Sequence, residues 1–137
     1  MDRLFLDANV LFSAAYLPSS KFRTLWNLTN VDLITSDFAK QEAEFNLTKK
    51  RPRQMPDLVA LLLSVAIVSP ASAAMSIPPG LLLPLKDEVL FLAAQQASAT
   101  HFLTGDLRHF GPYFGQKFGG ILIQRPAEYL KGQSSNP

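Results

Sequence analysis

The chain has 137 residues, the size of one ordinary domain, and 47% of them are hydrophobic, enough for a core and too many for global disorder. It has no cysteine, which excludes disulfides and thiolate metal sites and fits a reducing compartment, so a cytoplasmic protein is expected. The net charge of +2 is compatible with nucleic-acid binding but lacks the strongly basic footprint that would argue for it.

The first expected element is a short buried strand, "RLFL" at 3–6. Asp7 breaks its apolar run, so the start of the chain does not read as a signal peptide. "ANVLFSAAYL" (8–17) has helical composition. "SSKFRTLWNLT" (19–29) opens with a serine cap candidate and carries Phe22, Leu25, Trp26 and Leu28 close to helical spacing. "VDLIT" (31–35) predicts a second strand, and Ser36 or Asp37 caps a helix over 37–50 that ends in the basic run "KKRPR". A helix over 54–64 and a short strand or strand exit at 66–70 follow. The apolar stretch from Leu58 to Val68 is far short of the roughly 20 residues of a membrane span. Residues 70–84, rich in proline and small side chains, read as a connection. "KDEVLFLAAQQASA" (86–99) predicts a helix with acids in its first turn, where the dipole favours them. "THFLTGD" (100–106) predicts a strand ending in a turn, "GILIQRP" (120–126) a last strand, and "AEYLKG" a short closing helix. Strands alternating with helices imply an α/β domain over 1–131, with a mainly parallel sheet covered on both faces. Residues 132–137 read as a disordered tail.

In open α/β sheets the functional crevice lies beyond the carboxyl ends of the strands. Asp7 and Asp106 stand at two such ends, Asp87 opens the helix leading into the strand before Asp106, and Glu42 lies one to two turns into the helix after the second strand. Each acid also has a plain structural role open to it, as a helix cap, a turn former or a solvated helix residue. Taken together, "LDANVL" and "TGDLRHF" embed aspartates among apolar residues, where an unpaired charge is expensive. Several carboxylates brought together repel and need a cation to coexist ionised. Hard divalent ions such as magnesium or manganese prefer that oxygen-rich setting, and a metal so held can activate water against a phosphodiester.

The stretches "LFLDANVLFSA", "LITSDFAKQEAEFNL", "LKDEVLFLAAQQASATHFLTGD", "DLRHFG" and "ILIQRPAEYL" run through nearly the whole chain. In them the sequence resembles the PIN-domain family, and within it the VapC-like toxins. The resemblance implies a three-layer α/β/α sandwich with an acidic pocket and metal-dependent endoribonuclease activity. It implies that Asp7, Glu42, Asp87 and Asp106 hold Mg2+ or Mn2+, with Asn9 and Thr104 orienting carboxylates and waters. Glu44 competes with Glu42 for the second position. Many relatives carry another acid shortly after the one matching Asp106; here Arg108 and His109 stand there, so a four-carboxylate site is what carries over. The implied partners are an RNA substrate, an antitoxin protein and a second copy of the chain, with no membrane.

Other residues have plainer roles open to them as well. Lys86 and Arg108 flank the carboxylates and are candidates for contact with substrate phosphate. His109 could contact phosphate or donate a proton, although loop histidines more often serve packing. His101 falls inside a strand and reads as structural. "KKRPR" (49–53) can track an RNA backbone or simply be a solvated helix end. The aromatics of "HFGPYFGQKFGG" (109–120) can stack on unpaired bases or pack a loop on the core. The apolar helix at 57–67 reads as mostly core, with part of it open to a dimer or antitoxin interface. Two rivals stand beside the nuclease: a non-catalytic PIN-like RNA-binding or protein-interaction module, and an unrelated phosphatase or receiver domain. The phosphatase wants a second aspartate where Asn9 stands, and the receiver wants a lysine after a late strand.

Overall fold

The computed structural model describes residues 1–69 and 75–134. Its strands are β1 (Asp2–Leu6), β2 (Val31–Ser36), β3 (Ala66–Val68), β4 (His101–Leu103), β5 (Lys117–Phe118) and β6 (Ile121–Gln124). Its α-helices are α1 (Ala8–Tyr16), α2 (Asp37–Lys50), α3 (Met55–Leu62), α4 (Leu85–Gln96) and α5 (Pro126–Ser134). The strands form one sheet in the order β3-β2-β1-β4-β6-β5. All pairings are parallel except β5 with β6. Helices complete the expected α/β/α layering.

The all-apolar strand is central. Leu4, Phe5 and Leu6 are fully buried, and β1 lies between β2 and β4. Phe5 sits opposite Phe102 in the register of β1 with β4, and their rings stack 5.2 Å apart. Phe91 of α4 and Phe110 pack on Phe102 at 5.5 and 4.7 Å, so four aromatics anchor α4 and the segment after β4 to one face of the sheet. Strand alternation turns Leu4 and Leu6 to the opposite face. Among the described residues no helix is long and apolar enough to cross a membrane.

Several local outcomes differ from the sequence reading. The segment over 19–29 forms a 3₁₀ helix, Lys21–Asn27, capped by Ser20, whose Oγ accepts from the Phe22 amide at 3.3 Å. The helix predicted to 99 stops at Gln96, because Ser98 turns left-handed (φ 56°). The amides of Ser98 and Ala99 then close back on the carbonyls of Gln95 and Ala94, both at 3.0 Å. An alanine-rich stretch without glycine gives no sign of this stop. The aromatic loop, in turn, contains β5, joined to β6 by Gly119–Gly120 with φ of 59° and 81°. Two successive left-handed residues suit a two-residue hairpin, and glycine adopts them without strain. At the chain's end, α5 carries helix over 132–134 of the expected tail, and 135–137 lie outside the described residues. The connection at 70–84 falls partly outside them as well.

Ser98 is exposed and holds a left-handed conformation that costs an L-residue roughly 1 kcal/mol. Ser98→Gly should therefore raise unfolding stability by about 0.5–1 kcal/mol, measured by urea denaturation. A loss of stability would mean that the serine side chain, and not its backbone, holds this corner.

Candidate active site

The register that stacks Phe5 on Phe102 also pairs Leu6 with Leu103, so the chain leaves β1 and β4 side by side. Asp7 follows β1, and its amide still donates to the Leu103 carbonyl at 3.1 Å. It is at once the N-cap of α1 and nearly fully buried, at 4% exposure. Its Oδ1 accepts from the Ala8 amide at 2.7 Å. Its Oδ2 accepts from Thr104 Oγ1 at 2.8 Å and Asn9 Nδ2 at 3.0 Å. Asn9 spans the two strand ends, because its Oδ1 accepts from the Gly105 amide at 2.7 Å. A Cβ at Gly105 would lie 3.3 Å from that oxygen, which gives the glycine of "TGD" a steric reason. Thr104 Oγ1 also accepts from the Asp106 amide at 3.1 Å, so one buried hydroxyl ties Asp7 to the turn that carries Asp106.

The turn after β4 then folds back on itself. The His109 amide donates to Asp106 Oδ1 at 3.1 Å, and His109 Nδ1 lies 2.9 Å from Asp106 Oδ2 and 3.1 Å from Asp87 Oδ2. Asp87, in the first turn of α4, is 6% exposed. Beside it, Lys86 Nζ donates to Glu42 Oε2 at 2.8 Å. Glu42 Oε1 is buried and has no hydrogen-bond partner among the described residues.

Asp7, Glu42, Asp87 and Asp106 thus line one cleft of about 340 Å³, together with Asn9, Lys86, His109 and apolar walls from Phe12 and Leu90. Of the second-motif glutamates, Glu42 lines the cleft and Glu44 does not. Arg108 is exposed and off the cleft, unlike Lys86. Asn46 also lines the cleft with no signal of its own in the sequence, and Lys50, from the basic run "KKRPR", joins it. They stand four and eight residues after Glu42 on α2, so helical spacing from a correctly chosen glutamate would have found them. The sequence offers His109 for phosphate contact, proton donation or packing; its place between two carboxylates comes from the fold.

Burial pushes the Asp7 carboxyl up to about 6, against the pull of its Thr104 and Ala8 hydrogen bonds and with the help of the charges on Asp87 and Glu42. Burial likewise raises Asp87, opposed first by His109. The hydrogen bond to Glu42 raises Lys86. Buried carboxyls at Asp7 and Asp87 that resist ionisation, and a buried Glu42 oxygen without a donor, suit a hard divalent cation. The donor set fits such an ion.

No family model matches the sequence, and no curated protein matches it significantly. The fold is found in solved structures. VapBC2 from Rickettsia felis, determined bound to a DNA fragment from their promoter, matches with a TM-score of 0.65 at 15% identity, over 90% of this chain and 98% of that one. VapC20 from Mycobacterium tuberculosis, a Sarcin–Ricin loop cleaving toxin, matches with a TM-score of 0.59 at 13% identity, over 84% and 98%. VapBC-1 from nontypeable Haemophilus influenzae matches with a TM-score of 0.57 at 12% identity, over 91% and 98%. At these identities the likeness is one of fold: the chain has the PIN-type fold of VapC toxins.

The Asp7 shift predicts a pH signature. A carboxyl raised from 3.8 to about 6 binds its proton more tightly folded than unfolded. Its contribution therefore favours folding below pH 4 and is lost as pH rises through 6, a cost on the order of 3 kcal/mol. In chelator, wild type should lose stability relative to Asp7→Asn between pH 4 and pH 6.5, followed by urea denaturation at each pH. Parallel curves for the two proteins would show that Asp7 is ionised at no cost.

Proposed function

We propose that this chain is a metal-dependent endoribonuclease of the PIN type, acting as the toxin of a toxin–antitoxin pair. The observation that carries the reading is the convergence of Asp7, Glu42, Asp87 and Asp106, from four separate elements, on one cleft that contains an unpartnered buried carboxylate oxygen. The toxin role is supported by the VapC fold and extends beyond it.

In this reading the four carboxylates hold Mg2+ or Mn2+. When bound, such an ion supplies an activated water and neutralises the charge that develops on the scissile phosphodiester. The remaining work belongs to the chain. Thr104 and Asn9 lock the Asp7 carboxylate in one orientation, so that Oδ2 is held by two donors at the cleft. Lys86 fixes Glu42 through one oxygen and leaves the other facing no donor. Lys86 and Lys50 bring positive charge to an otherwise acidic cleft, where an RNA phosphate must approach. Arg108 lies outside the cleft and is left to substrate beyond the scissile bond.

The partners follow from surface that is apolar without being core. Phe45 on α2 is 62% exposed, Leu63 after α3 is 84% exposed, and Leu85 at the start of α4 is 76% exposed. A second copy and an antitoxin chain are the proposed occupants of such surface in the cytoplasm. Static light scattering at micromolar concentration should report twice the mass of one chain; a clean monomer removes the homodimer.

The activity test is incubation of the purified, antitoxin-free protein with structured RNA in chelator, magnesium or manganese. Cleavage should require metal. Asp87→Asn, Asp106→Asn and Glu42→Gln should each lower the rate by about a hundredfold or more, and Glu44→Gln should leave it within about threefold of wild type. If no metal-dependent, Asp7-dependent cleavage occurs, the chain is better read as a binding module built on the same fold. Saturating metal should also stabilise wild type, by about 2.7 kcal/mol at a hundred times the dissociation constant, and most of that gain should vanish in Asp87→Asn.

A further inference from the structure

We infer that His109 is itself a metal ligand, and that with Asp87 and Asp106 it forms a nitrogen-containing half of the cleft that selects a first-row transition ion, manganese, over magnesium. The inference rests on the reading of the cleft as a metal site and assigns to it a ligand and a selectivity.

The argument is geometric. Ligand atoms about 2.1 Å from one ion, at right angles to each other, lie about 3.0 Å apart. His109 Nδ1 is 2.9 Å from Asp106 Oδ2 and 3.1 Å from Asp87 Oδ2. All three residues offer ligand atoms within 4.8 Å of one another. The two carboxylates therefore already face the imidazole nitrogen at the spacing that a shared ion imposes. The placement is enforced by the backbone. The His109 amide donates to Asp106 Oδ1, and the Phe110 amide to the Asp106 carbonyl, both at 3.1 Å, so the turn that presents Asp106 carries the ring back over it. Phe110 anchors that turn by packing fully buried on Phe102.

The donor type sets the selectivity. Magnesium prefers oxygen and sheds water reluctantly. Imidazole suits first-row transition ions better than magnesium, and manganese, at the weak end of that series, is the one that also favours the carboxylates of the cleft. A site made only of carboxylates has no such bias. His109 supplies it here, in a half of the cleft separate from Glu42, whose partner is Lys86.

The test uses the full chain and two ions. Mn2+ is titrated by electron paramagnetic resonance and Mg2+ by competition against it, and the electron spin echo of bound Mn2+ is examined for modulation from a directly coordinated nitrogen. Wild type should show the nitrogen signal and bind Mn2+ about tenfold or more tighter than Mg2+. His109→Gln, which replaces nitrogen by an amide oxygen, should lose the signal and bring the two affinities to within about threefold. Glu44→Gln should retain both. Bound Mn2+ without a nitrogen signal in wild type, or an affinity ratio unchanged in His109→Gln, overturns the proposal. The wild-type spectrum alone decides the point if the variant misfolds. Either negative result alongside metal-dependent RNA cleavage leaves the nuclease reading intact and removes only His109, whereas a wild type that binds neither ion removes both.

Discussion

The parallel pairing of β1 with β4 is the constraint on which the rest depends. It sets Leu6 opposite Leu103, and the next residue on each strand is polar, Asp7 on one and Thr104 on the other. A hydroxyl and a carboxylate are thereby buried 2.8 Å apart at the end of two apolar strands. A one-residue slip would turn Phe5 and Phe102 out of their common stack and separate the two polar groups, because side chains alternate faces along a strand. The aromatic core and the acidic cleft are thus specified by one register. The cost of burying a charge at Asp7 is offset by three donors, and what they leave uncompensated is seen in its raised pKa.

Around this seam the acids have unequal freedom. Asp7 is fixed at both oxygens by the protein. Asp106 and Asp87 are fixed through His109, and Glu42 is held at one oxygen by Lys86. The cleft therefore grades from a rigid floor at Asp7 to a mouth at Glu42 and Lys86, whose side chains are 26% and 55% exposed. A preorganised floor with a more adaptable mouth would suit the proposed activity, with a small ion held in one place while RNA arrives and leaves.

Much of this was legible in the sequence, for identifiable reasons. β1, β2 and α2 follow from apolar runs bounded by polar caps, and Ser36 caps α2 as one of the two candidates named. The four carboxylates are recognisable because Asp7 and Asp106 end apolar strands, and a charge in such a place needs a purpose. Glu42 was separable from Glu44 only by position on the helix, which the sequence leaves open by two residues. What escaped is what arises from tertiary contact or a single backbone angle. The stop at Ser98 has no compositional signal. The hairpin strand Lys117–Phe118 is too short for periodicity, although Gly119–Gly120 was visible. The joint role of His109 requires knowing that α4 brings Asp87 to the turn after β4, a contact between residues twenty-two positions apart.

The ends of the sheet carry a consequence of their own. The outermost strands, β3 and β5, are three and two residues long, and β5 begins with Lys117. An incoming strand would find few amides and carbonyls to zip onto, and a lysine at one rim discourages the attempt. The molecule is in this way protected from endless edge-to-edge growth, however apolar its interior. The proposed association is left to side chains on the helical flanks, where Phe45, Leu63 and Leu85 stand exposed. Contacts of that kind, paired isologously between two copies, would close on themselves and keep the proposed assembly finite in size.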